Sequence, residues 1–483
     1  MSGSRHLALA MAVLSIGLAS SVLAQAPSSG DLIRIARIEH HLPPAVVVPG
    51  VETPGRTLAA AMTDAGVPGL SMAVIRNGRI AWTRQYGVAR TDGEPVGPHT
   101  RFQAGSISKS ITALGAMAAV GSGDLSLDED VNARLKSWRL PIEDAAVGAP
   151  VTLAALLSHT AGVTVHGFPG YRQDETIPTL RQVLEGTPPS NTAAVRATTR
   201  PGEAWLYSGG GYEVIQQLVE DVTGAAFEVW MARQVFIPLG MTNSGYEQRV
   251  RLDDHAMAHD ARGHVVEAGP YIYPEQAAAG LWTTPEDLAV ALIAVQRALS
   301  GEKGEAAQAL AQRMLAEVKP GRALGFDVGG ETGGRWFSKS GDTEGFGAFA
   351  VAFESGDGAV VMANGANGAS LAQDVVRSIA SAYGWDAFQP RERSVTSLTP
   401  EQAARLEGRY RYGEWGEFRL QVMNGRLMLS SPGENPEPAY AASPDEVFGL
   451  SQDASFVFDP DSARAQGGHI QFGASRLPFS RID

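Results

Sequence analysis

The sequence predicts an α+β fold, an antiparallel sheet flanked by helices and followed by a small C-terminal all-β domain, and three observations carry that prediction. Two apolar runs, Leu70–Ile75 and Ile80–Arg84, flank Asn77-Gly78, the turn pair that suits a two-residue β-hairpin. From Ser106 to about Val120 the apolar period becomes helical, and the chain to about residue 300 reads mostly as helices and loops. Strand-like runs return at Trp336–Ser338, Ala348–Phe353 and Ala359–Met362, followed by a helix over Leu371–Tyr383. First and last segments can therefore share one sheet.

Taken in order, Arg5 and His6 precede an uncharged apolar run from Leu7 to Leu23, with Val22 and Ala24 at the −3 and −1 positions of a cleavage site. This predicts an export signal over residues 1–24, cut after Ala24. The expected location is periplasmic or secreted, with membrane contact only transiently during export. Residues 25–54 are rich in Pro and read as an irregular lead-in, and a short helix is expected over Leu58–Ala65. The helix after Ser106 carries Ile107, Ile111, Leu114 and Ala118 on one stripe and should end at Gly121 and Gly123. Thr284-Pro285-Glu286-Asp287 reads as a helix start, with Thr284 capping, Pro285 in the first turn and Asp287 completing the box. The main domain spans 55–386, Gln389-Pro390-Arg391 marks a link over 387–402, and residues 403–483 form the β-domain. Its expected strands are Tyr410–Tyr412, Phe418–Val422, Leu427–Leu429, Phe456–Phe458 and Ile470–Phe472, with a turn at Asn424-Gly425.

The formal net charge is −13 and no basic cluster stands out, which argues against nucleic acid or an anionic membrane surface as partner. The chain has no cysteine, so disulfides, thiolate nucleophiles and Cys-ligated metals are excluded. No His or carboxylate spacing typical of a metal site is present. His159 and His166 read as loop organisers, His255, His259 and His264 as surface-loop residues, and Glu275-Gln276 as part of a site rim. No metal and no cofactor are expected. The expected partner is a small-molecule or peptide substrate.

The most informative count is lysine: of 39 basic residues only five are lysine, at 109, 136, 303, 319 and 339. A chain that uses Arg wherever a cation suffices keeps Lys for what Arg cannot do, above all to lose a proton. Lys109 stands in Ser106-Ile107-Ser108-Lys109, at the start of an apolar helix. The i, i+3 spacing puts both side chains on one face. Serine needs an adjacent base to act as nucleophile, and a lysine in a dry site near other cations can lose its proton. A helix N-terminus adds free N–H groups suited to a developing oxyanion. By spacing alone this pair is no better than Ser300-Gly301-Glu302-Lys303, which lies in a Gly-rich, charged stretch and reads as a solvated turn. Lys319-Pro320-Gly321 also reads as a turn, because Pro320 would deprive a strand of an N–H.

Order separates the motif from its decoys. Ser106–Lys109 is followed by Leu206-Tyr207-Ser208-Gly209 and then by Ser338-Lys339-Ser340-Gly341-Asp342, the sequence of S-x-x-K, Tyr-headed element and K-[ST]-G. With Val67-Pro68-Gly69-Leu70, Leu157-Ser158-His159-Thr160-Ala161-Gly162, Pro238-Leu239-Gly240-Met241 and Ala279-Gly280-Leu281-Trp282, the chain from about 55 to 385 resembles the serine β-lactamase and penicillin-binding protein superfamily. It is most similar to the branch of class C β-lactamases, D-Ala-D-Ala carboxypeptidases and family VIII esterases.

The resemblance implies a β-lactamase/transpeptidase-like sheet and an acyl-enzyme on Ser106, with Lys109 and Tyr207 sharing the proton work. It also implies an oxyanion hole from the backbone N–H groups of Ser106 and Asp342, and substrate binding by Lys339, Ser340 and Gly341. The flanking ammonium groups Lys109 and Lys339 would lower the Tyr207 phenol. One position departs: the family pattern is Tyr-x-Asn, and Gly209 offers no amide to a substrate side chain or to the lysine. The expected function is hydrolysis of amide, β-lactam or ester bonds in small substrates, D-amino acid peptides or β-lactams. Gly209 argues against a dedicated β-lactamase. The alternatives are a family VIII-type carboxylesterase and a penicillin-binding sensor that does not turn over.

Overall fold

The computed structural model describes residues 26–483 apart from 54, 91, 248–253, 332–333, 414–415, 433–435, 461–463 and 473–474. The segment read as an export signal, residues 1–24, lies outside the described residues. The chain divides into two compact units, one built on Ala59–Val376 with the stretch up to Ile35, the other on Ala36–Leu58 with Arg377–Asp483.

The first unit is built on a six-stranded sheet. Its order is Arg79–Gly87, Gly69–Arg76, Gly358–Ala363, Phe346–Phe353, Trp336–Thr343 and Asp327–Gly329, with every neighbouring pair antiparallel. The Asn77-Gly78 turn closes the hairpin, both residues at positive φ. Val74, Val360 and Val351 are wholly buried, as expected of central strands covered on both faces. The helix Pro285–Leu299 packs on four of these strands, and Ile107–Ser122 packs on Trp336–Thr343 and Phe346–Phe353.

Two local expectations change. The helix after Ser106 runs through Gly121 and stops at Gly123, whose φ of 82° lets its N–H reach the Ala119 and Val120 carbonyls. Its burial is not a stripe: Ile107, Ile111 and Ala118 are covered, but so are Ser108, Lys109, Ser110 and Thr112. Polar groups on a helix buried nearly all round must be hydrogen-bonded inside the protein, and these are the ones that build the site below. At the Pro285–Leu299 helix Thr284 does cap, accepting the Asp287 N–H at 3.2 Å. The Asp287 carboxylate instead accepts the Asn243 N–H and the Ser244 hydroxyl, both at 2.8 Å, so it ties down a neighbouring loop.

The second unit holds a nine-stranded sheet whose sequential pairings are antiparallel. Its core stacks Tyr410 on Phe418 at 5.0 Å, with Phe479 edge-on to Phe418 at 5.0 Å. The Tyr410 hydroxyl donates to the Leu406 carbonyl at 2.8 Å, which satisfies the polar end of a buried ring. The sequence reading missed the helix Pro400–Leu406 and the strands Glu437–Pro438, Tyr440–Ser443, Glu446–Phe448 and Ser475–Arg481. The lead-in is not irregular either. It contains a helix, Ser29–His40, with Ile35 and Ile38 buried and Ser28 Oγ accepting the Asp31 N–H at 3.1 Å. Val46–Val47 then pairs in parallel with Arg391–Glu392, inside the span read as a link.

Candidate active site

The helix Ile107–Ser122 begins against the edge of the strand Trp336–Thr343. On that side the strand's neighbour, Asp327–Gly329, pairs only as far as Ser338, so from Lys339 onward the edge faces the helix start. Glycine permits the approach. A Cβ on Gly341 would stand 2.0 Å from the Ala104 carbonyl and 3.0 Å from the Ile107 nitrogen. Gly105 has φ of +50°, and a Cβ there would lie 2.6 Å from the Asp342 nitrogen. The Asp342 amide nitrogen is thus set directly beside Gly105-Ser106. Lys339 and Gly341 share one face of the strand, Ser340 and Asp342 the other.

Ser106 is half-buried and precedes the first helical residue. Lys109, 3% exposed, places Nζ 3.1 Å from Ser106 Oγ and donates to the Ala278 carbonyl at 2.8 Å. Burial holds this ammonium below the ordinary lysine range, and the nearby Lys339 charge adds to that, while Tyr207 and Glu213 oppose it. Tyr207 donates its hydroxyl to Ser106 Oγ at 2.7 Å. Burial would raise this phenol, but the charges of Lys109 and Lys339 and the hydrogen bonds at its oxygen outweigh it, and the net direction is down. Both ammonium groups lie close to the ring, Lys109 Nζ at 5.1 Å and Lys339 Nζ at 5.0 Å from its centroid.

The ring is held from behind by His159, centroids 4.3 Å apart. His159 Nδ1 accepts the Ser208 N–H at 3.1 Å, fixing the residue that follows Tyr207. Burial, then the charges of Lys339, Lys109 and Arg322, push this imidazole well below its usual range, so it is a neutral support. Ser208 caps the helix Gly209–Thr223, accepting the Gly211 N–H at 2.8 Å. His166, on the site loop, packs 5.0 Å from the Tyr207 ring. At Gly209 a Cβ would lie 2.8 Å from the Phe168 ring. The space an asparagine side chain would need is already taken by that aromatic.

Six of the seven positions named from the sequence, Ser106, Lys109, Tyr207, Lys339, Gly341 and Asp342, therefore meet at one place, with the seventh, Ser340, on the same strand. Other expectations fail. Glu275, expected at the rim, is wholly buried. His255 and His259, read as surface residues, are 3% and 4% exposed; His255 packs edge-on to Trp282 and His259 Nδ1 bonds the Asn364 carbonyl at 2.8 Å. Glu213 and Phe168 line or support the site without having been read for it, while His159, read as a loop organiser, accepts the Ser208 N–H. Ser300 ends the helix Pro285–Leu299 and Lys303 lies in the turn beyond. Among the described residues no group of three His, Cys, Asp or Glu is placed to hold a metal.

The beta-lactamase family model matches residues 55–384. The chain belongs to the beta-lactamase family. Similar curated proteins include protein flp of Staphylococcus aureus (strain MRSA252), 22% identical over 223 residues, 45% of this chain and 42% of that protein. Penicillin-binding protein 4 of Amycolatopsis lactamdurans is 29% identical over 191 residues, 38% of this chain and 46% of that protein. The chain thus matches less than half the length of these relatives. Among solved structures, the octameric penicillin-binding protein homologue from Pyrococcus abyssi superposes with a TM-score of 0.58 at 21% identity, covering 87% of this chain and 98% of that one. SurE superposes at 0.54 and 22% identity, covering 88% and 97%. These two share the family fold over nearly their whole length.

Proposed function

We propose that this protein is a serine hydrolase that forms an acyl-enzyme on Ser106 and cleaves amide, β-lactam or ester bonds of small substrates, D-amino acid peptides or β-lactams. The observation that carries the reading is that Ser106 Oγ lies 3.1 Å from Lys109 Nζ and 2.7 Å from the Tyr207 hydroxyl. In the acylation step Oγ bonds to the carbonyl carbon and its proton passes to neutral Lys109. The tetrahedral oxyanion is met by the Ser106 and Asp342 N–H groups. The C–N or C–O bond then breaks, and the leaving group takes a proton from Tyr207. In deacylation Tyr207 removes a proton from the attacking water. Lys339 would attract a substrate carboxylate, with Ser340 and Gly341 completing the strand edge that receives it.

Phe168 against Gly209 favours a second reading, a family VIII-type carboxylesterase. An aromatic wall there suits an apolar acyl group better than an acylamino side chain. A sensor that acylates without turnover would need Tyr207 away from Ser106, and the 2.7 Å contact speaks against that. The same proposal places the protein in the periplasm or outside the cell, on the strength of residues 1–24 alone. The test is incubation with a chromogenic cephalosporin, a short acyl ester and a D-Ala-D-Ala peptide, followed by intact mass. Turnover of at least one substrate, abolished in Ser106→Ala, is expected. Unchanged turnover in that variant would sink the assignment, and a stable adduct without turnover would favour the sensor.

A further inference from the structure

Two carboxyl groups behind the site have no part in the chemistry above. Glu213, on the helix Gly209–Thr223, and Glu275 are both wholly buried. Glu213 Oε1 accepts the Ala278 N–H at 3.1 Å, and the carbonyl of the same Ala278 accepts Lys109 Nζ at 2.8 Å. The stretch around Ala278 is pinned on both sides. Gln216 Oε1 accepts the Ala277 N–H at 3.1 Å, Thr112 donates to the Ala277 carbonyl at 3.0 Å, and Ser108 Oγ accepts the Leu281 N–H at 3.1 Å. Glu213 Oε2 and both Glu275 oxygens have no partner from another residue among the described ones. A buried carboxylate without partners is costly, so such groups keep their protons.

We propose that Glu213 is a positioning residue for Lys109: through Ala278 it fixes the carbonyl that aims Nζ at Ser106, and by remaining uncharged it leaves Lys109 free to act as a base. This rests on Lys109 being the base of the proposed acylation. An anionic Glu213 would favour the ammonium form of Lys109. The other groups facing Lys109 are Tyr207, Tyr212, Lys339, His159 and His166. Those facing Glu213 are Lys109, Glu275, Glu220 and Tyr246. Burial pushes the Glu213 carboxyl well upward, and an ionised Glu275 would push it further. A purely structural role would need only an acceptor for the Ala278 N–H, which glutamine also supplies.

The experiment measures kcat and KM against pH for hydrolysis of p-nitrophenyl acetate, after intact mass has established the wild-type adduct on Ser106. In Glu213→Gln the acceptor survives and one uncharged group replaces another, so most of kcat is retained and the acidic limb of kcat/KM stays where it is. Glu275→Gln replaces a second uncharged carboxyl and leaves the limb in place as well. The double variant follows Glu213→Gln. Glu213→Leu leaves the Ala278 amide unpaired and lowers kcat about thirtyfold or more, with KM within about threefold. An acidic limb displaced to lower pH in Glu213→Gln would mean a charged Glu213 in the wild type and overturns the proposal even if Glu213→Leu fails to fold; a folded Glu213→Leu that keeps its kcat overturns it too. A wild-type chain without a Ser106 adduct defeats the hydrolase reading instead, while a wild-type adduct with an indifferent Glu213 defeats only the positioning role.

Discussion

Two serine–lysine pairs of identical spacing sit on this chain, and they share almost nothing else. Ser106 and Lys109 stand at the start of a helix buried on nearly every side, with Lys109 3% exposed and its Nζ held between Ser106 Oγ and the Ala278 carbonyl. Ser300 closes the end of its helix by donating to the Arg297 carbonyl at 3.0 Å, and Lys303 lies in the turn that follows. The first lysine is stripped of water and set near a second ammonium; the second can keep its hydration. Spacing brings two side chains to one face, but it takes burial, helped by a neighbouring cation, to make an amine give up its proton near neutral pH.

The sharpest way to break that comparison is to substitute arginine at both sites. Arg keeps the positive charge and cannot act as a base. Lys109→Arg is expected to lose about 10³-fold or more in kcat against an acyl ester, the scale of a lost general base and activated nucleophile. Lys303→Arg should be indistinguishable from wild type. Substantial activity in Lys109→Arg would show that deprotonation at that position is not required.

A smaller effect is expected from the glycines of the two K-x-G look-alikes. A Cβ on Gly341 would meet the Ala104 carbonyl at 2.0 Å, so Gly341→Ala must push the strand edge away from the helix start. Loss of kcat/KM by about tenfold or more is expected, since small displacements of reacting groups are costly. Gly321 has φ of +72° and its nearest neighbour to a Cβ is the Val328 carbonyl at 3.6 Å. Gly321→Ala should cost about 1 kcal/mol of stability from backbone strain and leave kcat/KM unchanged. Equal activity losses in the two variants would remove the distinction between strand edge and turn.

These pairs also mark what the sequence could reveal. Asn77-Gly78, the Thr284 cap and the three ordered motifs are local patterns, and each sits where local chemistry puts it. Phe168 against Gly209, His159 beneath Tyr207 and Glu213 on the Ala278 amide depend on contacts across 41, 48 and 65 positions, and nothing in the neighbouring residues announces them. Gly209 read as a missing amide because its partner aromatic lies on another loop. The histidines misled for the opposite reason: Asp neighbours at 254 and 260 looked like a solvated stretch, while Trp282 and the Asn364 carbonyl cover the rings. The Ser29–His40 helix was legible, since Ser28 and Asp31 have capping spacing and Ile35 and Ile38 fall one turn apart, but the Pro-rich surroundings masked it.

The gentlest test uses no activity at all. Burial lifts the Glu275 carboxyl from 4.5 to about 8. Between those values the folded protein keeps a proton that the unfolded chain has released, so the stability tied to this group is full below pH 4.5 and is lost as pH rises through about 8. The whole span is worth roughly 5 kcal/mol. Glu275→Gln has no proton to lose, so relative to wild type it should gain several kcal/mol between pH 5 and pH 9, read from urea unfolding at each pH. Glu302, exposed beside Lys303, is the matched control: Glu302→Gln should stay within ~0.5 kcal/mol of wild type throughout. A Glu275→Gln difference that does not change with pH would mean that the buried carboxyl is already ionised in the folded protein. The dry surroundings that separate Lys109 from Lys303 would then not extend to the chamber behind it.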